Sequence, residues 1–195
     1  FSTDAALQAY ASRNSELWSI AYATIKNANG VIYQYKKMED AGDAFSDEDL
    51  AAYAQALTMR GYYYFQMMYL FSTSMADESP NSRYGGAGGN DFRLIPYYDG
   101  SDAQINQETG FIAEQDLSTY GFIHEAITAD LTKAIALFDS VNYVRPLKLY
   151  FDGDVARGIL AYNLLHSRNP ETQLNDYKLA YKYAKEVIAR GNYVM

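Results

Sequence analysis

Two clusters of carboxylates are the residues best placed to do acid–base chemistry in this chain of 195 residues. Residues 47–49 read Asp-Glu-Asp, and Asp152 is followed by Asp154. A glycosidase uses a pair of carboxyl groups to protonate its leaving group and to activate its nucleophile. Both clusters, however, lie where helices are predicted to begin, and carboxylates stabilise the positive end of the helix dipole. Capping explains them without catalysis, and a helical glycosidase is kept as an alternative that demonstrated hydrolysis would revive.

The other residue types that carry chemistry lack partners at a useful spacing. Neither His124 nor His166 has a second ligand spaced for metal binding. The glycine cluster at residues 85–89 has no strand before it and no Lys-Ser/Thr pair after it, so it is not a phosphate-binding loop. The chain has no cysteine and no G-x-S-x-G turn, and Asp-Gly-Ser-Asp at 99–102 leaves a weak calcium contact open. The sequence therefore predicts no enzyme activity, no metal and no cofactor.

The charge balance excludes two classes of partner. The chain has 24 acidic and 16 basic residues, a formal net charge of −8. Nucleic acids are bound by clustered Lys and Arg, so no nucleic-acid partner is expected, and an anionic membrane surface is disfavoured for the same reason. No run approaches the roughly 18 apolar residues of a membrane span.

Helical periodicity dominates the chain and predicts an all-α fold. An apolar stripe that starts at Trp18 predicts a first helix of about 17 residues, and Ser46 is expected to cap a second helix that continues to Phe71. Three further stripes predict helices in the second half. Their apolar residues are Ile123, Ile127, Leu131, Ala134 and Phe138; Val155, Ile159, Tyr162 and Leu165; and Tyr177, Ala180, Tyr181, Ala184, Val187 and Ile188. A brief extended stretch is expected only at residues 93–98.

The last two helices, joined by the turn at residues 168–172, are predicted to form an antiparallel hairpin. The span from Ala156 to Arg190 fits one 34-residue tetratricopeptide unit. We expect one helical domain over residues 1–195, in which residues 154–191 form this tetratricopeptide-like hairpin. Residues 72–117 form a long loop insertion, and a loop of this length in a compact domain is usually functional or disordered.

Five segments, in the same order along the chain, resemble the SusD/RagB family. The first is Leu-Trp-Ser-Ile-Ala-Tyr at 17–22, followed by Ile-Lys-Asn-Ala-Asn at 25–29. Residues 56–65 resemble the family helix A-x-x-x-R-A-Y-Y-Y-F, with Ser72 where the family has glycine. Leu-Ile-Pro-Tyr at 94–97 resembles the G-I-P-L turn. The last two resemblances are those of residues 130–137 to the D-L-x-x-A-I-x-L helix and of residues 177–193 to the closing helix.

This resemblance implies both a fold and a function. Family members are surface glycan-binding lipoproteins of Bacteroidetes, built on a tetratricopeptide-like scaffold. The implied ligand is an oligosaccharide or polysaccharide, and the implied partner is a SusC-type TonB-dependent outer-membrane transporter that takes up glycans. Members also carry a lipid anchor and a loop-rich C-terminal half, and both are missing from these 195 residues. The chain is therefore expected to be the N-terminal, scaffold-building portion, held at the membrane only through the anchor of its parent protein.

Two stretches supply the aromatic, amide and charged side chains that saccharides require. One precedes the helix at Trp18, where the family often inserts glycan loops, and the other is the long insertion. The candidate ligand-binding residues are Tyr10, Arg13, Asn14, Tyr84, Asn90, Arg93, Tyr97, Tyr98 and Asp99. Trp18 and the tyrosines at 62–64 are instead expected in the core, and Arg60 is expected to pair with a carboxylate or a helix end.

A function of a different class stays open beside glycan binding. Helical repeats commonly bind proteins or peptides in a concave groove. In this alternative the chain is a scaffold for protein–protein docking, and the exposed faces of the last hairpin make the contact. Substitutions in the loops would then leave partner binding intact.

Overall fold

Five helices and a two-stranded sheet make up the computed structural model. It describes residues 3–71, 93–104 and 112–190, with side chains from Arg13 onward. In chain order, the elements are α1 (Thr3–Ala41), α2 (Asp47–Phe71), β1 (Arg93–Pro96), a 3-10 turn (Asp102–Gln104), β2 (Leu117–Thr119), α3 (Tyr120–Ser140), α4 (Gly153–Leu165) and α5 (Gln173–Arg190). The predicted all-α class is confirmed, and the expected extended stretch contains β1.

Helix α1 is much longer than the sequence predicts. It begins at Thr3 instead of Trp18 and runs to Ala41. Its predicted apolar stripe is correct, since Ala21, Ile25, Ala28 and Ile32 are all buried. Gly30 lies inside the helix in open space. A helical glycine costs about 1 kcal/mol relative to alanine, which the packing of the stripe outweighs.

Helix α2 begins as predicted, with Ser46 as its cap. The Ser46 hydroxyl accepts a hydrogen bond from the Asp49 backbone N–H at 3.1 Å, and the Asp49 carboxylate accepts one from the Ser46 N–H at 3.0 Å. This reciprocal pair satisfies two backbone donors that a helix start leaves without partners. Hydrogen bonds from the Ser46 side chain and backbone lower the pKa of Asp49.

The core lies where α2 packs between α1 and α3. Aromatic and branched side chains fill it, and those that are almost completely buried include Tyr53, Tyr64, Ile95, Tyr120, Ile127, Leu131 and Phe138. The sequence predicts burial of the second half of α2 on several sides, and this holds for Tyr64, Phe65, Met67 and Met68, whereas Tyr62 and Tyr63 are only half-buried. It is wrong for Tyr69 and Leu70, which are exposed.

The last two helices pack on each other, but the stripes predicted for them are partly wrong. On α4, the fully buried apolar residues include Leu160 and Leu164, whereas Tyr162 and Leu165 are exposed. On α5 the fully buried residue among those described is Ala180. The remaining members of its stripe are exposed or only half-buried, because just one side of α5 contacts α4.

Candidate functional site

A groove of about 600 Å³ opens between α1 and the chain that follows β1. It lies beside Pro96, where the strand ends, and its two walls come from elements about 70 residues apart in sequence. Its lining is largely apolar and aromatic. The lining residues are Trp18, Tyr22, Ile25, Lys26, Asn29, Pro96, Tyr98 and Ile112.

Three aromatic rings line this groove, two on the α1 wall and one on the opposite wall. Trp18 and Tyr22 are one helical turn apart on α1, and their ring centroids are 5.0 Å apart. The ring of Tyr98 meets Tyr22 edge-on, with centroids 5.7 Å apart. Trp18 is backed by Phe71 at the end of α2. The groove therefore presents partly exposed ring surface on a rigid helical support.

The Tyr22 hydroxyl ties the two walls together. It donates a hydrogen bond to the Pro96 carbonyl at 2.8 Å. Burial raises the pKa of Tyr22, and the nearby Tyr98 hydroxyl adds to the effect. The hydroxyl is thus a fixed neutral donor, and its hydrogen bond is made within the protein.

The turn that carries Tyr98 is held through its backbone. Asn29 Nδ2 donates to the Tyr98 carbonyl at 2.7 Å. The Tyr64 hydroxyl accepts from the Tyr98 N–H at 2.7 Å and donates to its carbonyl at 3.0 Å. Gly100, with a φ of +78°, packs so closely that a Cβ there would lie 2.7 Å from Asn29 Cβ. Because backbone groups carry these bonds, the Tyr98 ring is free to face the groove.

Arg60 connects this turn to the core. Its guanidinium donates to both carboxylate oxygens of Asp130, and also to Asn29 Oδ1 at 2.9 Å and the Asp99 carbonyl at 3.3 Å. Burial alone would lower the pKa of Arg60, but the hydrogen bonds and charge of Asp130 outweigh it and raise the pKa. The expectation that Arg60 pairs with a carboxylate is confirmed.

The aspartates of the turn, Asp99 and Asp102, make hydrogen bonds and an ion pair within the protein. Asp99 Oδ1 accepts from the Ser101 N–H at 2.8 Å. Asp102 accepts from the Tyr33 hydroxyl and pairs with Lys37 at 3.9 Å. Within the described residues, no group of three or more His, Cys, Asp or Glu side chains is arranged to hold a metal ion.

Of the predicted site residues, the structure places Tyr98 in the groove. Asp99 shapes the turn beside it. Tyr97 packs against Tyr64 and Phe122, and burial raises its pKa to about 12. Arg93 donates to the Leu117 carbonyl at 3.0 Å and so braces the sheet.

The other predicted site residues fall on α1 or outside the described structure. Arg13 and Asn14 are exposed on α1 and do not lie in a loop, because the helix starts earlier than expected. Asn14 is one turn before Trp18 on the same side of α1. Tyr10 lies on the α1 backbone with its side chain outside the described part, and Tyr84 and Asn90 lie outside the described residues.

Sequence reasoning missed most of the groove's α1 wall. Trp18 is expected in the core, yet it is only partly buried and lines the groove. A signal is present: Trp18, Tyr22 and Lys26 recur every four residues beside the apolar stripe, which places them along one side of the helix. The opposite wall carries no such local pattern.

Comparison with known proteins shows the family of the chain. A family model for SusD-like proteins, described as starch-binding and associating with the outer membrane, matches residues 2–157. The chain belongs to the SusD-like family. No curated protein sequence matches it significantly. No helix in the described ranges has the length and apolar character needed to cross a bilayer.

Solved structures share this SusD-like fold. A SusD-like carbohydrate-binding protein from Bacteroides vulgatus is 25% identical with a TM-score of 0.66, covering 93% of this chain and 32% of its own. A SusD superfamily protein from Bacteroides thetaiotaomicron is 20% identical with a TM-score of 0.61, covering 91% and 33%. A structure with xylogluco-oligosaccharide is 21% identical with a TM-score of 0.62, covering 93% and 30%. The chain thus spans about a third of the length of these structures.

Proposed function

We propose that this SusD-like chain takes part in binding an oligosaccharide or polysaccharide without cleaving it. The observation that carries the proposal is the groove in which Trp18, Tyr22 and Tyr98 expose ring surface on a braced support. The family description as starch-binding and the relative with xylogluco-oligosaccharide support the ligand class.

The groove has the physical character that a sugar needs. The C–H faces of a pyranose are apolar and pack on aromatic rings, while its hydroxyls need polar partners at the edge. A volume of about 600 Å³ falls in the usual range for sites of small ligands. Rings on a helix and on a turn held by hydrogen bonds lose little conformational freedom on binding, which lowers the cost of association.

The proposed contacts combine the groove with the earlier candidates. Tyr98 supplies a ring, and Asn14 extends the same side of α1 beyond Trp18. Arg13 is exposed on the same turn of the helix. Tyr97, Asp99 and Arg93 act through the shape of the turn and sheet. Tyr10, Tyr84 and Asn90 stay as proposed contacts.

The wider assembly is also part of the proposal. Association of the family with the outer membrane supports a cell-surface role for the parent protein. We infer a lipid anchor on that parent and a SusC-type TonB-dependent transporter as its partner in glycan uptake. One domain over residues 1–195, with the insertion at 72–117 and the hairpin at 154–191, is the proposed organisation.

Saccharide titrations test the binding proposal. Trp18→Ala and Tyr98→Ala are expected to weaken binding of the best ligand from a glycan array by about tenfold or more. Tyr181→Ala is the matched control, because that ring is 68% exposed on α5 and does not line the groove. Tyr98→Ala keeps the backbone hydrogen bonds of the turn, so it separates lost contact from lost folding. Unchanged affinity in both groove variants would remove the groove from the proposal.

One observation favours protein docking as a second function. The outer side of α5 exposes apolar side chains, among them Tyr181 and Ile188, the latter 79% exposed. Exposed apolar side chains that cluster on one surface mark interaction sites. Tyr181→Glu with Ile188→Glu is expected to abolish co-purification with the transporter and to leave saccharide binding unchanged.

A further inference from the structure

We propose that the groove selects acidic saccharides, with the Lys26 ammonium binding a carboxylate or sulfate group on the sugar. This inference rests on the proposed function, since it names the class of saccharide that the same groove takes. Lys26 lines the groove on α1, one turn beyond Tyr22.

The hydrogen-bonding groups around Lys26 are already engaged. The Tyr22 hydroxyl donates a hydrogen bond to the Pro96 carbonyl. Asn29 donates from its amide nitrogen to the Tyr98 carbonyl, and its amide oxygen accepts from the Arg60 guanidinium. Lys26 makes no hydrogen bond or ion pair with any residue in the ranges that the structure describes. The ammonium therefore offers three donors and no acceptor to a ligand, a pattern that an anionic oxygen satisfies best.

The local charge favours an anion although the chain as a whole is acidic. Helix α1 has no carboxylate between Glu16 and Glu39, so no acidic residue of α1 lies within a helical turn of Lys26. Two carboxylates of the turn after Tyr98 have partners within the protein: Asp99 accepts from the Ser101 N–H, and Asp102 accepts from the Tyr33 hydroxyl and pairs with Lys37. A net charge of −8 repels anions at long range, so an acidic sugar needs a local cation, and Lys26 supplies one in the lining of the groove.

The spacing along α1 fits a sugar ring with a charged substituent. Four helical residues advance by about 6 Å, so Trp18, Tyr22 and Lys26 form a row of two rings and one cation. A pyranose stacked on the rings would direct an exocyclic carboxylate or a sulfate ester towards the ammonium. With a neutral sugar bound, the Lys26 ammonium would be solvated by water and would have no anionic partner.

Paired ligands test this selectivity. The probes are an oligogalacturonate and a sulfated galactan oligosaccharide, each compared with its uncharged counterpart of the same linkage. At low salt, at least one acidic probe is expected to bind about fivefold tighter than its counterpart, and the difference should shrink as salt rises. If only the oligogalacturonate is preferred over its counterpart, the ligand group is a carboxylate. If only the sulfated galactan is preferred over its counterpart, the ligand group is a sulfate. Preference for both acidic probes supports recognition of charge alone.

Two charge reversals on the same helix complete the test. Lys26→Glu is expected to remove the preference for the acidic probe over its neutral counterpart. Lys36→Glu, a change at another exposed lysine of α1, is expected to keep the preference. If neutral and acidic probes bind equally, or if both reversals act alike, the selectivity proposal is wrong while glycan binding stands. If no saccharide binds and Trp18→Ala changes nothing, the proposed function fails as well.

Discussion

Arg60 on α2 and Asp130 on α3 form a two-pronged salt bridge inside the protein. Arg60 Nε and Nη2 donate to the two carboxylate oxygens at 2.7 and 2.6 Å, and the residues are only 4% and 7% exposed. The same guanidinium reaches Asn29 and the Asp99 carbonyl. One buried cation therefore links the packing of three helices to the turn that forms a wall of the groove.

Loss of one partner of this pair should be strongly destabilising. Arg60→Met leaves the Asp130 carboxylate buried without its cation, and we expect a loss of about 3–5 kcal/mol in the free energy of unfolding. Asp130→Asn should cost a comparable amount. The double variant Arg60→Met with Asp130→Leu should lose clearly less than the sum, because no buried charge remains. Chemical denaturation measures all three, and strictly additive losses would contradict a coupled pair.

Gly100 tests whether the turn must keep its shape for binding. Alanine at a φ of +78° is strained, and its Cβ would lie 2.7 Å from Asn29 Cβ. We expect Gly100→Ala to destabilise the protein by about 1–3 kcal/mol, as measured by chemical denaturation. It should also weaken saccharide binding, because it displaces Tyr98.

Gly42 is a matched control for that change. It has a φ of +75°, but a Cβ at this position would have no neighbouring atom within 4 Å. Gly42→Ala should therefore show the backbone strain alone, about 1 kcal/mol, with saccharide affinity unchanged. If Gly42→Ala and Gly100→Ala affect binding equally, the contact with Asn29 does not control the groove.

Local patterns in the sequence predict much of the helical fold. Ser46 and Asp49 are three residues apart, so the start of α2 follows from neighbouring residues. The buried stripe of α1 follows from helical periodicity, yet its start does not, because residues before Trp18 lack a strong apolar repeat. The predicted stripe of α4 is partly wrong, for Tyr162 and Leu165, because apolar side chains occur on two of its faces and contacts with α3 and α5 decide which face is buried.

The groove was beyond the reach of the sequence for a different reason. Tyr22 and Pro96 are 74 residues apart, and a hydrogen bond across that separation has no local signature. Tyr98 is predicted as a loop aromatic, and the structure places it in the chain that follows β1, lining the groove. Its neighbour Tyr97 has the same composition signal but packs inward. The ring contacts that distinguish the two tyrosines, Tyr64 and Phe122 for Tyr97 and Tyr22 for Tyr98, come from residues distant in sequence.

His124 should make stability depend on pH. Burial lowers its pKa below the usual 6.5, and its ring lies 3.0 Å from the Asn163 carbonyl. The unfolded chain then binds a proton more readily than the folded one, so stability is fully present above pH 6.5 and falls as pH drops towards the folded-state pKa. Denaturation midpoints between about pH 8 and pH 5 measure this slope. His124→Gln should flatten it, whereas His166→Gln controls for the loss of a histidine.

We expect Arg157 to anchor α5 against α3 and α4. Its side chain is 3% exposed and contacts acidic residues on three helices: Asp139 of α3, Asp154 of α4 and Glu186 of α5. Among the described residues of α5, Ala180 is fully buried and Tyr183 packs against the core while only partly buried. Arg157→Met should therefore raise amide hydrogen exchange across α5 far more than across α2.

Arg190 provides the comparison for that experiment. It approaches the same carboxylates, Asp154 at 3.3 Å and Asp139 at 3.7 Å, but its side chain is partly exposed. Exposed ion pairs contribute up to about 1 kcal/mol, whereas removal of one partner of a buried pair costs about 3–5 kcal/mol because the other charge is left unpaired. Arg190→Met should thus raise exchange only at the end of α5. If the amides of α5 are protected from exchange equally in Arg157→Met and in the unsubstituted chain, apolar contacts with α4 are sufficient to anchor α5.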